Sequence, residues 1–220
     1  MTSFTEENYL KAIYKLTEKG EAEASTNAIA EQMHTKAATV TDMLKKLAHK
    51  KFIGYVPYQG ASLTPAGRKV ALNIIRKHRL WEFFLVEKLK FRWDEVHEMA
   101  EELEHIQSPD LVERLDQYLG FPQHDPHGDP IPDSKGRFPE SVSSLLQSAQ
   151  KGKKYTMSGV VDHHVLFLKH LDEIGLKPGC TLLIENVVSY DHSLYIRINN
   201  GASHYISNQI AKNILISPLK

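Results

Sequence analysis

Residues 25–65 read STNAIAEQMHTKAATVTDMLKKLAHKKFIGYVPYQGASLTP, and this stretch decides the fold. Ser25 to Met33 has the length of a short helix, with Ser25 placed to cap it. His34, Thr35 and Lys36 make a turn. Ala37 to Lys50 then reads as a second helix, apolar at Val40, Met43, Leu44 and Leu47. Phe52 to Val56 and Ala61 to Thr64 flank Pro57-Tyr58-Gln59-Gly60, which is the pattern of a hairpin. Two short helices joined by a tight turn and followed by a hairpin describe a winged helix-turn-helix.

Charge points the same way. The chain of 220 residues is balanced, with 27 Lys and Arg against 27 Asp and Glu. Between Thr35 and Arg79, however, the cations Lys36, Lys45, Lys46, Lys50, Lys51, Arg68, Lys69, Arg76, Lys77 and Arg79 face a single acid, Asp42. From Leu80 to Gly120 the balance reverses. A basic block suits a polyanion and an acidic block suits cations. The second helix of the motif would enter the major groove by its N-terminal end, presenting Lys36, Ala37, Ala38, Thr39 and Thr41. Asp42 can accept from cytosine, while Lys45, Lys46, Lys50 and Lys51 reach for phosphates.

Around this core the chain reads as mainly α with a small β part. Glu6 to Lys19 is a helix, and Thr64-Pro65 opens a long one that runs to about Lys90. Trp93 to Gln107 and Pro109 to Leu119 are two more. Phe121 to Phe138, rich in proline, reads as a structured loop, and Glu140 to Gln150 as a short helix. From Tyr155 the pattern becomes a strand, a helix from Asp162 to Ile174, and strands at Thr181 to Val188, Leu194 to Asn199 and Ser203 to Pro218. The expected domains are a winged helix-turn-helix over 1–70, a helical metal-binding and dimerisation domain over 71–138, a linker over 139–154 and a β-barrel-like domain over 155–220.

The single cysteine, Cys180, excludes an intrachain disulfide and a thiolate zinc cage, and it fits the cytoplasm. The first residues lack a signal-peptide pattern, and no apolar run approaches the ~20 residues of a membrane span, so no membrane partner is expected.

The acidic block carries a second signal. His78 and Glu82 are four residues apart, and His97, Glu101, Glu104 and His105 fall on one face of the expected helix, beside an apolar stripe. Imidazoles and carboxylates converging at a core edge are what a divalent transition metal requires. Without thiolate the set favours manganese or ferrous iron, while zinc or cobalt would still bind in vitro. A surface helix rich in Glu with two incidental histidines is the bland alternative.

At these residues the chain resembles the diphtheria-toxin-repressor family, which includes the manganese transport regulators and iron-dependent repressors. The resemblance runs through Tyr9-Leu10-Lys11-Ala12-Ile13-Tyr14, Leu63-Thr64-Pro65-Ala66-Gly67, Lys77-His78-Arg79-Leu80-Trp81-Glu82, Glu104-His105 and Pro126-His127-Gly128-Asp129-Pro130-Ile131-Pro132. It implies a homodimer that binds palindromic double-stranded DNA operators when loaded with metal, and so represses metal-uptake genes. It implies an SH3-like (FeoA-type) C-terminal barrel. One metal site would use His78, Glu82 and His97, with Asp125, His127 and Asp162 added from the loop and last domain. The other would use Glu101, Glu104 and His105 with position 8. Glutamate at 101, where iron-type members often carry cysteine, favours Mn(II), with Fe(II) as the alternative.

The chain also departs from the family. Asn8 stands where relatives carry aspartate or methionine, Lys11 where some manganese members carry glutamate, and Asp125 where a cysteine is frequent. Asp125 and His127 read equally as turn residues, and Asp162 as a helix cap. The implied switch draws the first helix, through position 8, toward the helix bearing Glu101, Glu104 and His105. The implied dimer interface lies around Trp81, Phe84, Leu85, Leu111, Leu115 and Leu119. The rivals are a metallohydrolase, for which the chain has no H-E-x-x-H and no nucleophile elbow, and a winged-helix regulator sensing an organic ligand.

Overall fold

A computed structural model describes residues 2–18, 23–140 and 142–219 of the chain. Lys19, the expected end of the first helix, lies outside the described residues. The chain divides into two compact units that do not follow sequence order. One holds Met1–His78, Leu103–Ser108 and Pro132–Arg137. The other holds Arg79–Glu102, Pro109–Ile131 and Phe138–Lys220.

The first unit contains α1 (Phe4–Glu18), α2 (Thr26–Gln32), α3 (Ala37–His49), β1 (Ile53–Val56) and β2 (Gly60–Leu63). Ser25 caps α2 by accepting from the Ala28 N–H at 3.1 Å, as its hydroxyl suggests. α1 packs on α2 and β2, α2 on α3, and α3 on β1. Leu10, Ile13, Ile29, Val40, Leu44 and Leu47 are fully buried, the apolar stripes turned inward. β1 and β2 pair antiparallel, Ile53 against Leu63, and form the wing. The wing is tied back by paired 2.9 Å hydrogen bonds between Ala24 and Ala61. Gly60 has φ +143°, and a Cβ there would lie 2.8 Å from the Ala24 oxygen, so only glycine fits this joint.

α4 (Pro65–Glu87) begins at the proline and contributes residues to both units. In the second unit, α5 (Val96–Leu103, whose last residue is counted with the first unit) and α6 (Pro109–Tyr118) precede the proline-rich loop. Leu80, Val112, Leu115 and Ile131 form a small core there, with Trp81, Phe84 and Leu119 packed on it. The implied dimer surface is corrected accordingly: Leu85 and Leu115 are buried within the chain. Leu89, Phe91, Leu111, Tyr118 and Phe121 are exposed apolar residues of this region.

The rest is a six-stranded antiparallel sheet in the order β3-β8-β4-β5-β6-β7. Its members are β3 (Ser144–Leu145), β4 (Lys154–Val160), β5 (Thr181–Val187), β6 (Leu194–Ile198), β7 (Ser203–Ile206) and β8 (Ile214–Pro218), with α7 (Val165–Glu173) and α8 (Asn208–Ala211) as its helices. Two expectations fail here. The helix over Glu140 to Gln150 is instead β3 and a 3₁₀ turn, Leu146–Ser148, because Leu146 and Ala149 enter the barrel core. The long strand from Ser203 is broken by α8, which Ser207 caps by accepting from the Ile210 N–H.

Candidate metal centre and DNA-binding face

In the second unit α4 carries Glu82, α5 carries His97 and Glu101, and the loop after α6 carries Asp125 and His127. Glu82, Asp125 and His127 each offer a ligand atom within 4.8 Å of the others, and all three are buried. His127 Nδ1 lies 3.6 Å from Glu82 Oε2 and 3.9 Å from Asp125 Oδ1. His97 adjoins them, its Nδ1 3.2 Å from Glu82 Oε1 and its Nε2 3.7 Å from Glu101 Oε1.

The loop is built to aim these groups. Asp125 Oδ1 accepts the N–H groups of His127 (2.8 Å) and Asp129 (3.0 Å), an Asx turn. So Asp125 is a turn residue; the same Oδ1 lies 3.9 Å from His127 Nδ1, and Oδ2 faces Arg79 Nε at 3.8 Å. His127 Nε2 sits 2.8 Å from the Trp93 main-chain oxygen, which assigns its proton to that nitrogen and turns Nδ1 toward Glu82 and Asp125. Arg79 holds the far side, donating to Pro130 O (2.5 Å) and Asp129 Oδ2 (3.0 Å). Register slips at Ser158 in β4, leaving a bulge where the loop meets the sheet. A Cβ on Gly128 would lie 2.1 Å from the Ser158 oxygen.

Electrostatically the cluster gathers carboxylates around His127, with Arg79 Nε 3.8 Å from Asp125 Oδ2. Burial raises the Asp125 pKa, and the Glu82 and Asp129 carboxylates push it the same way. Burial works against charge on His127, yet Glu82 and Asp125 prevail and raise it to about 9. Among the described residues, Asp125 Oδ2 and His127 Nδ1 are buried without a hydrogen bond. Buried polar groups without a hydrogen bond are costly unless a further partner meets them. An all-nitrogen-and-oxygen donor set fits a divalent metal.

Asp162 is placed differently from its expected role. Its Oδ1 accepts the His164 N–H at 2.9 Å, a turn leading into α7, and it is not among the clustered groups. The neighbouring His163 instead stacks on His127 with ring centroids 4.8 Å apart. Sequence reasoning passed over His163 because nothing in the spacing distinguishes it from His164.

The first unit holds another cluster. The expected single helical face for His97, Glu101, Glu104 and His105 is corrected: α5 ends at Leu103, and Glu104 and His105 lie in the turn beyond it. Glu104 is fully buried, and it accepts Lys11 Nζ at 2.9 and 2.7 Å and His78 Nδ1 at 2.7 Å. Lys77 Nζ donates to the Glu104 main-chain oxygen at 2.8 Å, and burial lowers its pKa despite nearby Glu7 and Glu104. His105 Nδ1 lies 2.8 Å from Glu7 Oε2, and its ring stacks on Phe4. Asn8 Oδ1 is buried without a hydrogen bond among the described residues. Glu7, absent from the expected site, closes this cluster. An acidic residue in a first helical turn reads as dipole compensation and gives no other signal.

On α3, Lys36, Ala37, Ala38 and Thr39 are exposed at the leading turn, and Thr41 is half-buried. Asp42 and Lys45 face solvent 3.9 Å apart. Lys46 and Lys50, expected to reach for phosphates, have a partner within the chain. Both sit on the buried Glu6, at 3.0 and 2.7 Å. Tyr58, at the wing tip, is fully exposed.

A winged helix-turn-helix in a chain with buried carboxylate–imidazole clusters defines a metal-responsive DNA-binding regulator. Comparison with known proteins makes this specific. The iron dependent repressor N-terminal DNA binding domain matches residues 1–61, the iron dependent repressor metal binding and dimerisation domain matches 64–133, and the FeoA domain matches 145–218. A solved manganese-dependent transcriptional repressor in complex with manganese superposes with a TM-score of 0.84 at 34% identity, covering 97% of this chain and 100% of that one. The manganese regulator SloR gives 0.72 at 33% identity, covering 97% and 98%. The chain therefore belongs to the diphtheria-toxin-repressor family of metal-dependent transcriptional repressors. The iron-dependent repressor IdeR of Mycobacterium leprae is 35% identical over 128 residues, 58% of this chain and 55% of IdeR, so the match spans about half the length of that curated relative. Among the described residues no helix is long and apolar enough to cross a membrane.

Proposed function

We propose that this chain is a cytoplasmic, Mn(II)-activated repressor that binds palindromic operators as a homodimer and controls metal-uptake genes. The observation that carries the reading is the buried Glu82–Asp125–His127 cluster, whose Asp125 Oδ2 and His127 Nδ1 lack hydrogen-bond partners. With no sulfur among its donors, this set favours Mn(II), and Fe(II) is the second reading. Zn(II) or Co(II) would bind in vitro by ordinary affinity order.

Glu82, His97, Asp125 and His127 of the second unit, with Glu101 beside His97, are the first proposed set. Glu104, His105 and Asn8 of the first unit are the second proposed set. A bound divalent ion would add positive charge where these carboxylates gather. The residues of the first unit support a route by which occupancy would be felt. Glu7 and Lys11 on α1 already hold His105 and Glu104, and α1 packs on α2 and β2 of the winged helix. Engaging Asn8 would fix α1 against the Glu104–His105 turn, and so fix the recognition helix. Only that state would match two half-sites about one DNA turn apart. Coupling of this kind needs only different metal affinities in the two states. Glu82, Asp125 and His127 are buried, which suits an ion that holds structure better than one that meets a substrate.

The test is operator binding, titrated separately with Mn(II), Fe(II), Zn(II) and chelator. Mn(II) is expected to tighten binding at least about tenfold relative to chelator, within the usual range of allosteric coupling. DNA affinity indifferent to all four conditions would sink the reading.

A further inference from the structure

Glu6 and Glu7 are adjacent on α1 but serve different partners. Glu7 holds His105 and Gln107, whereas Glu6 holds two lysines of the recognition helix. The Glu6 side chain is 0% exposed. Its Oε1 lies 3.0 Å from Lys46 Nζ and 2.7 Å from Lys50 Nζ, and its Oε2 accepts Lys50 Nζ and the Ser3 N–H, each at 2.9 Å. Lys46 is in the last turn of α3 and Lys50 is its C-cap. Their side chains are 54% and 36% exposed, so both stand at the surface while their ammonium groups pair with Glu6.

Two ammonium groups gathered on one carboxylate reproduce how a nucleic-acid phosphate collects lysines. Resting on the DNA-binding reading above, we propose that Glu6 is an internal phosphate mimic that keeps Lys46 and Lys50 off the DNA backbone. The comparison that decides it is between the two partners. A lysine that leaves Glu6 for a phosphate gains one solvent-screened contact. It also leaves a fully buried carboxylate short of its counter-ion, which is the more expensive outcome. Sequence-independent attraction is therefore held down, and the leading turn at Lys36 to Thr39 carries the contact. Glu6 is thus a specificity-determining residue that touches no DNA.

The full chain is tested in chelator, by fluorescence anisotropy on a short duplex without operator symmetry, between about 50 and 200 mM salt. Glu6→Gln keeps an acceptor for Ser3 but loses the charge. It is expected to bind at least about threefold tighter at the low-salt end, with a salt slope steeper by about 1 to 2, since each phosphate contact contributes about 0.9. In the unmodified chain Lys46→Gln with Lys50→Gln, whose amides still donate to the buried carboxylate, leaves the salt slope unchanged. In the Glu6→Gln background the same pair removes the gain. A merely structural Glu6 would instead lower the melting temperature and DNA affinity together, with no steepening, and that result overturns the proposal. An unchanged slope in Glu6→Gln, alongside intact Mn(II)-dependent operator binding, overturns this proposal alone. Absence of duplex binding by every variant at low salt overturns it as well, while Mn(II)-dependent operator binding in the same chains decides the DNA-binding function separately.

Discussion

His127 Nε2 lies 2.8 Å from the main-chain oxygen of Trp93, and the two rings stack with centroids 5.9 Å apart. That one bond decides which nitrogen the cluster sees. With Nε2–H donated to a carbonyl, Nδ1 presents to Glu82 and Asp125 either a lone pair or a second proton.

The choice between lone pair and proton gives a pH prediction. The metal-free His127 pKa is raised from 6.5 to about 9. A raised folded-state pKa contributes stability that is full below pH 6.5 and is lost as pH rises through 9. Asp125, raised by burial, acts with the same sign. Metal binding runs the other way, because the ion must displace the His127 proton, so affinity gains up to about tenfold per pH unit over that window. Melting curves from pH 6 to 9 should therefore fall in chelator, while the shift produced by Mn(II) grows. His127→Asn should flatten both trends and weaken Mn(II) binding by about tenfold or more in calorimetry.

Gly128→Ala tests whether the loop must touch the sheet. Its φ of +92° disfavours a side chain, and the added Cβ would lie 2.1 Å from the Ser158 oxygen. Backbone has to move, at a cost of about 3 kcal/mol or more. We expect a melting temperature lower by several degrees, and a Mn(II)-induced shift reduced more than the stability alone accounts for. A variant of unchanged stability and unchanged Mn(II) response would show that the loop is free of β4.

These two cases show what the sequence made legible. The winged helix was readable because Ser25, the apolar stripe of α3 and the Pro57–Gly60 turn are local signals acting over a few residues. His78, Glu82, His97 and His127 were readable as metal-binding types. Their grouping was less so. The end of α5 at Leu103 is set by tertiary pairing of Glu104 with Lys11 and His78, which no periodicity announces. Glu140 to Gln150 carries helix-like composition, but Leu146 and Ala149 fill the barrel core, and burial overrides propensity. Partners ninety or more residues apart, such as Glu7 and His105, leave no local trace at all.

Glu6 supplies an acid-stability prediction. Burial opposes its charge, but Lys50, the Ser3 N–H and Lys46 outweigh this and lower its pKa from 4.5 to about 2. A lowered folded-state pKa gives stability that is present above pH 4.5 and lost as pH falls toward 2. The contribution is on the order of 2 kcal/mol after allowing for the exposed lysines. Glu6→Gln should therefore unfold less steeply between pH 5 and 2, in denaturant titrations that resolve each pH. A Glu6→Gln profile that parallels the unmodified chain would place the acid sensitivity elsewhere.

Glu104 and Lys11 give the last prediction, because their pairing sets what each substitution leaves behind. Glu104 is fully buried between Lys11 and His78, while Lys77 holds its main chain. Glu104→Ala strands a buried ammonium, so a loss of about 3–5 kcal/mol is expected with or without metal. Glu104→Gln still accepts from Lys11 and should lose less than half of that. Lys11→Met works in the opposite sense for metal. It replaces the ammonium with an apolar chain of similar length, and His78 Nδ1 stays 2.7 Å from the carboxylate. The Glu104 oxygens that Lys11 now occupies then become open to a divalent ion. Lys11→Met should bind Mn(II) at least about threefold more tightly in calorimetry, by relief of a competing cation. Weaker Mn(II) binding in a folded Lys11→Met chain would mean that Lys11 positions Glu104 for the ion and does not compete with it.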